Sequence, residues 1–99
     1  MSVVIVGGNE RMVRRYQELC RDYRCDAKVF VKMQGTMREQ IGRPDLLVLF
    51  TGTMSHKMVR CALNGTKGQG TRIARSHSSS MAALRMILEE HAGGAGCRS

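Results

Sequence analysis

Two short runs of purely apolar residues, Val3-Val4-Ile5-Val6 and Leu46-Leu47-Val48-Leu49-Phe50, constrain this chain more than any other feature. A strand with one wet face alternates apolar and polar side chains. A strand with no polar position must be covered on both faces, which is the situation of a strand inside a parallel sheet. Gly7-Gly8 closes the first run as a tight turn, and Asn9 is placed to cap a helix beginning at Glu10. That helix carries Met12, Tyr16, Leu19, Cys20 and Tyr23 along a single stripe.

The rest of the chain alternates in the same way. Ala27–Lys32 reads as a strand of mixed polarity, and Thr36–Gln40 as a short helix stopped by Gly42 and Pro44. After Leu46–Phe50, a helix starting near His56 runs to about Leu63, with Met58, Cys61 and Ala62 inward and Asn64-Gly65 as its stop. A glycine-rich loop over 66–70 leads into a last short strand, Thr71–Arg75. One of Ser78, Ser79 and Ser80 then caps a final helix with Met81, Leu84, Ile87 and Leu88 inward. Strands alternating with helices specify an α/β chain: a parallel sheet covered on both faces, a Rossmann-like or flavodoxin-like three-layer sandwich. The two apolar strands belong in the middle and the two mixed ones at the edges. Right-handed crossovers then predict a four-stranded sheet in the order 2-1-3-4.

A chain of 99 residues suits one domain, expected over residues 1–91, with 92–99 as a disordered tail. The longest apolar run is far short of the roughly 20 residues that a membrane-spanning helix needs, so no membrane partner is expected. The first residues lack the charged and apolar regions of a secretory leader, which predicts a cytoplasmic protein with reduced thiols. Cys20 and Cys25 do not have the C-x-x-C spacing of zinc or redox motifs. Cys61 reads as a core residue, and Cys97 falls in the tail. A short exposed edge strand invites pairing across a two-fold axis, so a homodimer is expected.

In such sheets ligands bind outside the carboxyl ends of the strands. The topology delivers four segments there: Gly7-Gly8-Asn9-Glu10-Arg11, Lys32-Met33-Gln34-Gly35, Thr51 to Lys57, and Ser76 to Ser80. Helix starts at this edge attract anions through their free N–H groups. Gly7 and Gly8 would let backbone approach a ligand, and Asn9, Ser55, Ser78, Ser79 and Ser80 would offer polar groups. Lys57 and Arg75 would add charge beside His56. The same residues also suit ordinary caps and turns. The pattern predicts a phosphate-like anionic small molecule as ligand.

Other chemistries fit less well. G-x-G-x-x-G is missing its third glycine, no acidic residue closes the second strand, and there is no Walker A loop. Ser55 or Ser78 beside His56 or His77 lacks an acid to orient the imidazole, and no G-x-S-x-G elbow occurs, so the reading leans away from an enzyme. A haem or transition metal could use His56 and His77, with Met33, Met54 or Met81 as soft ligands. The formal charge is +8, from 16 Lys and Arg against 8 Asp and Glu. Arg11, Arg14, Arg15, Arg21 and Arg24 concentrate on the first helical stretch, interleaved with Glu18 and Asp22, which leaves nucleic acid as a further candidate partner. Aromatics are only 4%, too few for base stacking to carry such a role.

The set Val3-Val4-Ile5-Val6-Gly7-Gly8, Tyr16, Ser55-His56 and Ser78-Ser79 resembles the bacterial family called domain of unknown function 2325, over roughly residues 1–91. The resemblance implies a small cytoplasmic Rossmann-like domain. It marks Gly7, Gly8, Ser55, His56, Ser78 and Ser79 as signature positions and implies no activity. The glycine-rich 64–70 connection and the tail through Cys97 depart from the pattern. The combined expectation is a small ligand-binding or regulatory module.

Overall fold

The computed structural model describes residues 2–31, 41–68 and 70–91. The elements follow in the order β1 (Ser2–Gly7), a 3-10 turn (Glu10–Met12), α1 (Val13–Asp22), β2 (Asp26–Phe30), β3 (Leu46–Phe50), a second 3-10 turn (Thr51–Thr53), α2 (His56–Thr66), β4 (Arg72–Ser76) and α3 (Met81–His91). The strands form one sheet in the order β2-β1-β3-β4, every pair parallel. The expected order is therefore found, with the two apolar strands at the centre.

The pleat sends alternate residues to opposite faces. Val3 and Ile5 of β1, with Leu46, Val48 and Phe50 of β3, face Tyr16 and Cys20 of α1 and Leu84 and Leu88 of α3. Val4, Val6, Leu47 and Leu49 face Met58 and Ala62 of α2, joined by Phe30 and Ile41. All five residues of β3 are completely buried, which is why that run has no polar position. Burying each such side chain stabilises the fold by about 1.5–3 kcal/mol, so the two central strands dominate the choice of topology.

Several boundaries differ from the sequence expectation, each for a local reason. α1 does not begin at Glu10. The Asn9 side chain accepts from the Arg11 N–H at 2.9 Å and holds a 3-10 turn, and the α-helix follows from Val13. α2 runs past Asn64-Gly65 to Thr66, whose buried hydroxyl donates back to the Ala62 and Leu63 carbonyls at 3.3 Å. β2 and β4 are each shifted by a residue or more, to Asp26–Phe30 and Arg72–Ser76. The expected helix over Thr36–Gln40, the segment Lys32 to Gly35 and the tail over 92–99 lie outside the described residues.

The end of α1 explains the spacing of Cys20 and Cys25. Arg24 takes a left-handed conformation with φ of 60°. Its N–H donates to the Arg21 carbonyl at 2.9 Å, and the Cys25 N–H donates to the Cys20 carbonyl at 2.8 Å. This is the paired bonding of a Schellman cap, in which an apolar contact between the residues five apart accompanies the turn. Cys20 and Cys25, both buried, hold those two places. Burial, and then the neighbouring Cys25, push the Cys20 thiol up to about 12. Burial also raises the Cys25 thiol, with smaller contributions from Asp26 and Asp45. Both are therefore protonated core groups at neutral pH and not thiolate nucleophiles.

Candidate functional site

Strand order reverses between β1 and β3, since the chain moves from β1 outward to β2 and then back across to β3. At the carboxyl ends of these two strands lie Gly7-Gly8 and the Thr51–Thr53 turn. Both glycines have positive φ, 91° and 92°. Their missing side chains are taken up by the protein itself. A Cβ on Gly7 would sit 2.8 Å from Met54 Cγ and 2.9 Å from the Phe50 carbonyl oxygen. A Cβ on Gly8 would sit 2.9 Å from the Tyr16 ring and 3.1 Å from that of Phe50.

The backbone donors of this turn are also engaged. The Gly8 N–H donates to Thr53 Oγ1 at 2.7 Å, and Thr53 Oγ1 donates on to the Phe50 carbonyl at 3.0 Å. The Asn9 N–H donates to the Tyr16 hydroxyl at 3.3 Å. The turn is thus closed by Thr53 and Tyr16, two hydrogen-bond partners that the sequence did not identify. The bare backbone of Gly7-Gly8 lets the end of β1 pack closely against Phe50, Met54 and Tyr16. Gly-Gly has the same signature in packing and in ligand approach, because both need a bare backbone.

The exposed part of the edge is built by two helix starts. Ser55 caps α2, its hydroxyl oxygen accepting from the Met58 N–H at 3.2 Å, which leaves His56 and Lys57 exposed in the first turn. Ser80 caps α3 by accepting from the Ala83 N–H at 3.2 Å. Ser78 supports that cap: its hydroxyl donates to Ser80 Oγ at 3.1 Å and accepts from the Ser80 N–H at 3.3 Å. Ser79 is half-buried, and its carbonyl accepts from the Tyr16 hydroxyl at 2.6 Å. Of the expected serines, Ser55 and Ser80 thus have capping work, and Ser78 and Ser79 support the second helix start.

The loops that lead into α2 and α3 touch. A Cβ on Gly52 would collide with the His77 carbonyl oxygen and come within 3.2 Å of its ring Nδ1. The Thr51 hydroxyl reaches the Ser76 carbonyl at 3.5 Å. Arg75 stands opposite Leu49 in the β3–β4 register, so it lies on the sheet face covered by α2 and is exposed there. Neither Lys57 nor Arg75 has an ion pair with a described residue.

The two expected metal ligands differ in setting. His77 rests against Gly52, and His56 opens α2. Among the described residues no three His, Cys, Asp or Glu side chains gather as a metal site would need. Met54 is folded over Gly7, Met81 is half-buried against the α1 side of the core, and Met33 lies outside the described residues. Of the arginines expected as a nucleic-acid surface, Arg11, Arg14, Arg15, Arg21 and Arg24 are all exposed. No helix among the described residues is long and apolar enough to cross a membrane.

No curated protein and no solved structure matches the chain. Residues 2–91 match the family described as "Uncharacterized protein conserved in bacteria (DUF2325)", and the chain belongs to that family.

Proposed function

We propose that the chain is a small ligand-binding or regulatory module that takes a phosphate-like anion at the carboxyl edge of the sheet, between the loops that lead into α2 and α3. The observation that carries this reading is the contact between the two loops, Gly52 against His77 and Thr51 beside Ser76. It joins the loops that lead into two helix N-termini at the carboxyl edge of the sheet, and Lys57 and Arg75 add exposed positive charge. The binding surface is Ser55, His56, Lys57, Arg75 and Ser78 to Ser80. Asn9 stands at its margin, and Gly7 and Gly8 act beneath it as packing. As a binding or regulatory module it needs no reaction at this surface.

Thermal unfolding with inorganic phosphate, pyrophosphate and nucleotides tests the reading. A bound anion raises the melting temperature by mass action. The double variant Lys57→Glu, Arg75→Glu should abolish that rise while keeping the fold. If no member of the panel raises the melting temperature, or the double variant responds as strongly as the parent, the reading fails.

A further inference from the structure

A second surface lies on the far side of the molecule from β4. β2 is the outer strand, and among the described residues it pairs with β1 alone. Beside it, against α1, runs a groove in two parts of about 390 and 490 Å³, which share Gln17, Ala27 and Lys28. Ala27 and Val29 are half-buried members of the core on the α1 side. Gln17 and Arg21 of α1 line the opposite wall. Arg14 is three residues before Gln17 and seven before Arg21, so it continues the same flank. Arg14 and Arg21 are exposed and have no ion pair with a described residue.

We propose that this groove takes an extended acidic segment of a partner protein, which adds to β2 as a further strand and sets its carboxylates against Arg21 and Arg14. An outer strand offers a row of backbone donors and acceptors. Strand addition draws affinity from those bonds and specificity from the side chains at alternate positions. Apolar positions of the incoming segment would lie over Ala27 and Val29. Its acidic positions are selected by the arginine flank of α1 in a chain of formal charge +8.

A second copy of the chain is a poorer occupant. Antiparallel pairing of β2 with itself, about a two-fold axis normal to the sheet, keeps both α1 helices on one face. It brings Arg14 and Arg21 of each copy toward the same residues of the other, and like charges across such a seam disfavour pairing. The opposite edge is guarded differently, by exposed Arg72 and Arg75 on β4 itself.

The probe is a fluorescein-labelled Val–Glu peptide of about ten residues repeating Val-Thr-Glu-Thr, which sets Val and Glu in turn on the face toward α1 and covers a strand of ordinary size. Binding to the full chain is read by anisotropy and by amide NMR shifts. The peptide should bind and shift the amides of Asp26–Phe30. Arg21→Glu should weaken binding by at least about tenfold, as expected for losing a charge pair and installing a repulsive one. Arg14→Glu serves as the second variant, so the result does not hang on one substitution. Equal binding by a Val–Lys peptide would overturn the proposal. So would equal binding by a Val–Glu peptide N-methylated at alternate amides, which keeps the charge and removes the strand bonds. Shifts of the β2 amides with protein concentration alone would assign the edge to a second copy. No binding up to about 1 mM, the range of very weak complexes, would also overturn it.

Discussion

The Tyr16 hydroxyl donates to the Ser79 carbonyl across 2.6 Å and joins residues 63 apart in the chain. The same hydroxyl accepts from the Asn9 N–H, and the Tyr16 ring packs against Phe50 with centroids 5.5 Å apart. One fully buried side chain thus ties the turn after β1, the end of β3 and the loop that starts α3. Tyr16→Phe keeps the ring and removes the hydroxyl, leaving a donor and an acceptor unsatisfied at partly buried positions. The expected cost is about 1–3 kcal/mol. In a domain of this size each kcal/mol corresponds to roughly 4–8 °C in melting temperature. Calorimetry of the variant checks this, and an unchanged melting temperature would mean that water replaces the hydroxyl at no cost.

Arg24 is the one described residue other than glycine with positive φ. The left-handed conformation costs a side-chain-bearing residue about 1–2 kcal/mol. Glycine avoids that strain but loses about 0.5–1 kcal/mol through greater freedom of the unfolded chain. The balance favours Arg24→Gly by up to about 1.5 kcal/mol. Urea unfolding should show a higher midpoint with an unchanged slope. A lower midpoint would show that the Arg24 side chain makes a stabilising contribution larger than the strain it carries.

The central strands were legible because complete burial leaves an unbroken apolar run, as in Leu46–Phe50. The edges were legible for the opposite reason: Lys28, Arg72 and Arg75 stand where one side of a strand meets water. The closing of the Gly7-Gly8 turn was not legible. It depends on Thr53, 45 residues away from Gly8, and on Tyr16, whose place in the helical stripe announced burial but not a polar partner. The role of the Cys20–Cys25 pair was hidden for a related reason. Schellman caps usually show glycine at the left-handed position, and here that position is Arg24. The serines showed where helices begin, but the same residues suit a cap and a ligand contact.

The Cys20 thiol carries a pH dependence with a definite sign. Its folded value, about 12, lies above the 9.0 of an ordinary thiol. Stability from the neutral buried thiol is therefore complete below about pH 9 and declines as pH rises toward 12, because the unfolded chain gives up the proton first. Each pH unit in that window corresponds to about 1.4 kcal/mol for a single group. Cys20→Ala removes the titration, and comparison with the parent separates it from the alkaline titration of Tyr and Lys. The variant should be less stable at pH 7, where it loses core packing, and should lose stability less steeply above pH 9. Parallel curves for the two proteins would show that Cys20 does not titrate across this transition.

Gly52 tests the link between the fold and the proposed anion surface. A Cβ there meets the His77 backbone carbonyl, which cannot swing aside as a flexible side chain would. Gly52→Ala must therefore part the loops that begin α2 and α3, at a cost of about 1–3 kcal/mol typical of overpacking. Gly42 is the control: its φ is 64°, but a Cβ there meets nothing within 4 Å. Gly42→Ala carries only the backbone strain and leaves the loop contact intact. If the anion bridges the two helix starts, Gly52→Ala should reduce the thermal shift produced by phosphate beyond its effect on the apo protein, and Gly42→Ala should leave that shift unchanged. Equal phosphate shifts in parent and Gly52→Ala would confine the binding surface to a single helix start.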